Sequence, residues 1–193
     1  MTIKQRLQNL SENDLRKKII IPLMCGLNCH RVTNLHGTRE RGKDVLFFKK
    51  GTFRETVPGV ILIKNDGDII KSGPPNRSIQ VILTQAQEAI NTEIINPDDP
   101  NNKIKIKELI IMTSFEINGP AMEYINDNCL KSLPHITYID GDKLCNLIIE
   151  LIGIHKYKFK INTFKGFCES ISNRKYDTTG KTSITKYSEG KIT

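Results

Sequence analysis

The sequence predicts an α/β fold, a three-layer α/β/α arrangement around a central mixed sheet, and three observations carry that expectation. Amphipathic stretches alternate with short apolar runs, the order of a sheet covered by helices. Leu109-Ile110-Ile111-Met112 is continuously apolar, as a strand covered on both faces must be. Several strand-like runs follow one another early in the chain, which makes the sheet mixed rather than purely parallel.

The first helix is expected to start at Ser11, whose hydroxyl caps it while Asp14 completes an S-x-x-D box. Leu15, Ile19, Ile20, Leu23 and Met24 recur on one helical face, and Gly26 ends the run. Strands are expected around Cys29–Leu35, Asp44–Lys49 and Val60–Lys64, separated by turn formers at Gly37, Gly51 and Pro58-Gly59. After a polar loop from Asp66 to Asn76, Ser78 opens a second helix that buries Ile79, Ile82, Leu83, Ala86 and Ile90. The run Asn96-Pro97-Asp98-Asp99-Pro100-Asn101-Asn102 reads as a loop. Pro120 suits the first turn of a third helix ending near Leu130. Ile136–Ile139 reads as a further strand, and Asp142 leads a helix presenting Leu144, Leu147, Ile148, Leu151 and Ile152.

With 193 residues and 38% hydrophobic content, the chain can bury one core. Charged residues make up 26% and no apolar run approaches about 18 residues, so no membrane span is expected. Met1-Thr2-Ile3-Lys4-Gln5-Arg6 leads into polar residues, so no secretory signal is expected. Five cysteines without a dense spacing pattern suit reduced thiols in the cytoplasm. The net charge of +8 is uneven: Leu151 to Thr193 holds nine Lys and Arg against three acids, leaving 20 basic and 18 acidic residues before it. Such a tail either grips phosphates or simply stays solvated.

The chemistry-bearing stretch lies between Glu40 and Lys64. Glu40-Arg41-Gly42-Lys43-Asp44 leads into Val45-Leu46-Phe47-Phe48, and Gly59-Val60-Ile61-Leu62-Ile63-Lys64 follows. Alternation on a strand turns Val60, Leu62 and Lys64 one way and Ile61 and Ile63 the other. Asp44, at the mouth of the preceding strand, can face the same cleft as Lys64. Phosphodiester hydrolysis needs a nucleophilic water and charge neutralisation at the scissile phosphate. Mg²⁺ (or Mn²⁺) on one or two carboxylates supplies both, and a nearby lysine orients the water or balances the phosphate. Each residue also has a plainer account. Asp44 suits a turn after Gly42, Lys64 returns the strand to solvent, Glu40 pairs with Arg39 and Arg41, and Glu12 serves the first turn of its helix.

The stretch resembles the PD-(D/E)XK restriction-endonuclease-like superfamily, and within it the Mrr-like nuclease domains. The likeness spans roughly Ser11 to Ile152. It rests on the helix carrying Ile20-Ile21-Pro22-Leu23, on His36-Gly37-Thr38-Arg39-Glu40-Arg41-Gly42-Lys43-Asp44-Val45, on the strand ending in Lys64, and on the helix and strand after it. The resemblance implies a nuclease domain over 1–155, followed by a basic extension over 156–193 that is expected to be largely disordered from about residue 173, where Ser, Thr, Lys and Gly dominate with little hydrophobic periodicity. It implies a metal-dependent DNA endonuclease, an antiviral defence or restriction effector, with Asp44 on the metal and Lys64 catalytic. The family's Glu or Gln two residues before that lysine falls on Leu62, which cannot bind a cation. Glu40, Glu12 or the Ile63 carbonyl would then complete the metal set, with Glu40 also counted as catalytic.

Arg39, Arg41, Lys43, Lys71 and Arg77 are the expected phosphate contacts, with DNA (or RNA) as partner. Double-strand cutting would call for a homodimer, and a regulatory partner protein is a further expectation. The alternative is a catalytically degenerate nuclease-fold domain that binds nucleic acid or mediates protein assembly. Two other patterns carry less: Cys25-x-x-x-Cys29-His30 lacks a second Cys/His pair for zinc, and Gly180-Lys181-Thr182 lacks the earlier glycine of a phosphate-binding loop.

Overall fold

The computed structural model describes residues 1–27, 29–35, 43–65, 67, 77–129 and 136–159. It is a mixed α/β structure. Two helices not separated by a strand open the chain: α1 (Ile3–Gln8), then a helical segment made of α2 (Glu12–Asp14), a π-helical turn (Leu15–Ile20) and α3 (Ile21–Gly26). Strands β1 (His30–Asn34), β2 (Val45–Lys50) and β3 (Thr56–Ile63) follow, then α4 (Arg77–Asn91). The hairpin β4 (Glu93–Asn96) and β5 (Asp99–Lys105) precedes β6 (Glu108–Met112), α5 (Gly119–Cys129), β7 (Ile136–Ile139) and α6 (Gly141–Phe159).

The main sheet has the order β1-β2-β3-β6-β7. Its first three strands are antiparallel neighbours, while β3, β6 and β7 run parallel. The mixed sheet follows from the connections. Short links join β1 to β2 and β2 to β3, whereas parallel neighbours need a long crossover. The chain from β3 through α4 and the small hairpin to β6 is one such crossover, and α5 makes the next.

Two cores lie on the two faces of this sheet. Val60 and Leu62 point into one, with Ile82, Leu83, Ala86 and Ala89 of α4 and Ala121 and Ile125 of α5. Ile61 and Ile63 point into the other, with Leu7 of α1, Leu15, Ile19, Ile20 and Leu23 of the helical segment, and Leu144, Ile148 and Leu151 of α6. The period-two alternation of β3 thus seals both faces at once. Gly59 is required where it stands: a Cβ there would lie 2.2 Å from Cζ of Phe47, its cross-strand partner.

Several element boundaries differ from the sequence reading. α1 was not foreseen; Thr2 caps it, accepting the Gln5 N–H at 3.2 Å while the Gln5 side chain accepts the Thr2 N–H at 2.9 Å. The Ser11 cap is present, with the Asp14 N–H donating to Oγ at 3.1 Å, but the helix it starts widens into a π-turn. Pro22, which lacks an N–H, follows directly, and the Ile21 N–H reaches back to the Arg16 carbonyl, five residues away. The expected turn at Pro58-Gly59 lies inside β3. Pro58 is tolerated because the register with β6 starts only at Gly59, so no N–H is called for there, and its carbonyl still accepts the Lys107 N–H at 3.0 Å. The expected loop at Asn96–Asn102 is instead the turn of a hairpin and most of β5, and Lys50 of β2 meets that turn at Asp98 Oδ2, 3.0 Å away. α6 runs to Phe159, past the boundary expected at 155. The basic tail beyond it lies outside the described residues, as do the polar loop from Asp66 to Asn76 (except Gly67) and the stretch from His36 to Gly42. No helix among the described residues is long and apolar enough to cross a membrane.

Candidate functional site

The antiparallel pairing of β2 and β3 places Asp44. Val45 stands opposite Ile61, so Asp44, one step earlier, stands opposite Leu62. Its N–H donates to the Ile61 carbonyl at 3.2 Å. The next β2-facing N–H of β3 is that of Ile63, beyond the last paired residue of β2. The Asp44 side chain takes it: Ile63 N–H donates to Oδ2 at 2.7 Å. On the other edge, the Lys64 N–H donates to the Met112 carbonyl of β6 at 3.0 Å. Acid and lysine are therefore fixed by consecutive rungs of one sheet.

The helical segment from Ser11 supplies the remaining charges. Arg16 Nη1 donates to Asp44 Oδ1 at 3.0 Å, and Nη2 donates to Asn13 Oδ1 at 3.2 Å. The Arg16 and Asp44 side chains are only 4% and 7% exposed. Charge-assisted hydrogen bonds of this kind are stronger than neutral ones. They also offset the cost of burying both charges, a cost that would stand alone if either partner were lost. Four residues earlier on the same segment, Glu12 Oε2 lies 3.6 Å from Lys64 Nζ, with side-chain exposures of 31% and 14%. That separation is an ion pair rather than a hydrogen bond. Glu12 and Arg16 are thus one helical turn apart, one meeting the lysine and the other the aspartate. Pleat alternation puts Lys64 with Val60 and Leu62. Its Nζ nevertheless reaches the helical segment on the opposite face, because β3 ends at Ile63 and the long stem extends past the sheet edge.

Asn65 fixes the segment to the strand ends. Its Nδ2 donates to the carbonyls of Leu10 at 2.6 Å and Leu7 at 3.3 Å. Its Oδ1 accepts from the N–H of Ser114 at 3.3 Å and from the Ser114 hydroxyl. An amide side chain has two donors and two acceptor sites, so all four are used. Leu7 is in the last turn of α1, and its carbonyl also accepts the Leu10 N–H at 3.1 Å, so the residue after Lys64 adds a second clasp at the end of α1.

The expected site residues divide accordingly. Asp44, Lys64 and Glu12 come together under the helical segment. Ile63 enters through its N–H, as a donor to Asp44. Leu62 is fully buried in the core on the α4 side. Lys43 is buried, 4% exposed, rather than presented at the surface. Arg77 is the first residue of α4. Glu40, Arg39, Arg41 and Lys71 lie outside the described residues. Sequence reasoning missed Arg16 and Asn65. Arg16 sits in the apolar stripe of the first helix, between Leu15 and Ile19, and that is the signal that marks it.

A divalent ion is held by one or more carboxylates whose charge is not already countered by a neighbouring cation. Arg16 already counters the Asp44 charge, Leu62 brings no donor atom, and Glu12 is paired with Lys64. Among the described residues no group of three or more His, Cys, Asp and Glu could hold a metal ion. With Arg16 in place, the described residues do not fit a catalytic Mg²⁺. Burial pushes the Cys29 thiol up to about 11, so it stays protonated at neutral pH. No protein-family model, curated protein or solved structure matches the chain.

Proposed function

We propose that this chain is a restriction-endonuclease-like domain that engages the phosphate backbone of nucleic acid and, with Arg16 seated on Asp44, does not hydrolyse it. One observation carries the reading. The acid and the lysine of the nuclease-like pattern converge under one helical segment, yet the carboxylate is held by a buried guanidinium and an N–H. The missing acidic position, Leu62, is committed to the core, which agrees with the same conclusion. The net charge of +8 favours a polyanionic partner, because each phosphate neutralised releases condensed counterions. Arg39, Arg41, Lys71 and Arg77 are the proposed contacts, and buried Lys43 is left out of that set.

The test combines retention of duplex DNA and RNA with a plasmid-nicking assay in Mg²⁺ and Mn²⁺. Binding is expected to weaken with salt, with a log–log slope of about −0.9 per phosphate neutralised on duplex DNA, and no nicking is expected. Failure to bind either nucleic acid at low salt would remove this function and leave a role in protein assembly. A metal-dependent endonuclease is the second reading, favoured by Glu12, Asp44 and Lys64 meeting the same segment. Nicking by the wild type that disappears in both Asp44→Ala and Lys64→Ala would establish it.

A further inference from the structure

We infer that the end of β2 opposite Asp44 holds single-stranded nucleic acid, with Phe53 stacking on a base and Arg31 and Arg54 gripping the phosphates beside it. The inference rests on reading the chain as a nucleic-acid binder. It adds to that reading a second contact surface and the strandedness of its ligand.

Strained backbone marks this surface. The positive-φ non-glycine residues among the described ones are both arginines, Arg31 at φ 50° and Arg54 at φ 65°. A side chain in this left-handed region is disfavoured, and glycine is the usual occupant. Arg54 lies in the β2–β3 turn, where its N–H donates to the Gly51 carbonyl at 3.0 Å and the Gly51 N–H donates to the Glu55 carbonyl at 2.8 Å. A glycine in place of Arg54 would make the same turn without strain, so the hairpin alone does not account for an arginine there. Outliers of this kind gather at sites that hold ligands.

Register brings the pieces to one end of the sheet. His30 stands opposite Phe48 and Lys50 opposite Thr56, so the start of β1 flanks the end of β2 and its turn. Phe53, in that turn, is 90% exposed, which leaves both faces of its ring open. One exposed phenylalanine is ordinary by itself; here it adjoins strained cations. The nearby carboxylates are already engaged. Asp98 accepts from Lys50 at 3.0 Å and from the Thr56 hydroxyl, Glu55 accepts the Phe53 N–H at 3.0 Å, and Glu108 pairs with Lys49. Among the described residues neither Arg31 nor Arg54 is ion-paired. The resulting field is felt at His30, whose pKa is lowered by burial and then by Lys50 and Arg31, against Asp98. An open ring beside unpaired guanidiniums suits a strand with splayed bases, because stacking needs a base face that a duplex keeps covered.

The experiment measures fluorescence anisotropy of a labelled deoxythymidine oligomer of about 12 nucleotides, and of a duplex of equal length, with the full-length protein at low salt. The wild type is expected to bind the single strand more tightly than the duplex. Phe53→Ala and Phe53→Leu should each weaken oligomer binding roughly 5- to 100-fold, as loss of one stacked base does, and Phe53→Trp should bind at least as well as the wild type. Arg54→Gly should bind more weakly, with a log–log salt slope shallower by about 0.7, yet melt no lower than the wild type because the turn is relieved. Weaker binding without loss of stability is what a merely structural arginine would not give. Unchanged oligomer binding in Phe53→Ala and Arg54→Gly overturns the inference, and so does wild-type affinity in Phe53→Leu. Should Arg54→Gly fail to fold, Arg54→Gln must show the weaker binding and shallower slope, and its absence overturns the inference. A wild type that retains duplex but not the oligomer sinks this inference and leaves the proposed function standing. A wild type that holds no nucleic acid sinks both.

Discussion

Arg16 and Asp44, 28 residues apart in the chain, meet inside the protein with Nη1 3.0 Å from Oδ1. Neither charge has an alternative in water at this depth. Asp44→Ala therefore removes the carboxylate that faces a buried guanidinium and is expected to cost about 3–5 kcal/mol. Replacing both partners by apolar residues of similar bulk, Arg16→Met with Asp44→Leu, is expected to cost less than the sum of the single changes. The remaining loss is the orphaned Ile63 N–H, about 1–3 kcal/mol. Urea unfolding of the two single variants and the double variant measures the coupling.

Leu62 occupies the position where the nuclease-like pattern has an acid, and its side chain is fully buried against α4 and α5. Leu62→Ala is expected to cost about 2–5 kcal/mol. Leu62→Glu buries a carboxylate among aliphatic side chains and is expected to abolish folding rather than create a metal ligand. Circular dichroism of the purified variant separates these outcomes: a native spectrum with new Mn²⁺ binding would contradict this placement.

Asn65→Ala removes four hydrogen bonds at once and leaves the Leu10 carbonyl and the Ser114 N–H without the amide, while the Leu7 carbonyl keeps the Leu10 N–H at 3.1 Å. The expected loss is about 1–3 kcal/mol per group left buried and unpaired. It should be concentrated in α1, whose amides should exchange with solvent faster than those of β3. Uniform loss of protection across the sheet would show that the amide does not act locally.

His30 gives the described residues their pH response near neutrality. Burial first, then Lys50 and Arg31, lower its pKa below the usual 6.5; its ring lies 6.4 Å from that of Phe48. The unfolded chain therefore binds the proton more readily than the folded one. The stability His30 contributes is complete above 6.5 and declines as pH falls from 6.5 through the lower folded value. The wild type should thus lose more melting temperature between pH 7.5 and 5.5 than His30→Asn does. Equal losses would remove His30 as the cause.

Much of the frame was legible because the relevant signals are local. The apolar stripes on Ile79–Ile90 and Leu144–Ile152, and the unbroken run Leu109–Met112, match elements whose burial follows their periodicity. The pairing of Asp44 with the end of β3 was readable from strand order. What escaped depended on neighbours distant in sequence. α1 is short, and its end is clasped by Asn65, far along the chain. β5 forms through Pro100 and a polar run because β4 pairs with it, and propensity alone argues against a strand there. Arg16 was missed because an arginine in an apolar stripe is ordinarily assigned to the surface, while here the partner that permits its burial, Asp44, stands just before β2.

The sheet also acts as a partition. Arg16 and Glu12 of the N-terminal helices meet Asp44 and Lys64, and Ser114, just past β6, meets Asn65, whereas α4 and α5 cover the reverse side. A fluorophore attached at exposed Gln87 of α4 would therefore sit behind this barrier. It would report on tumbling or association without touching the charged cluster in front.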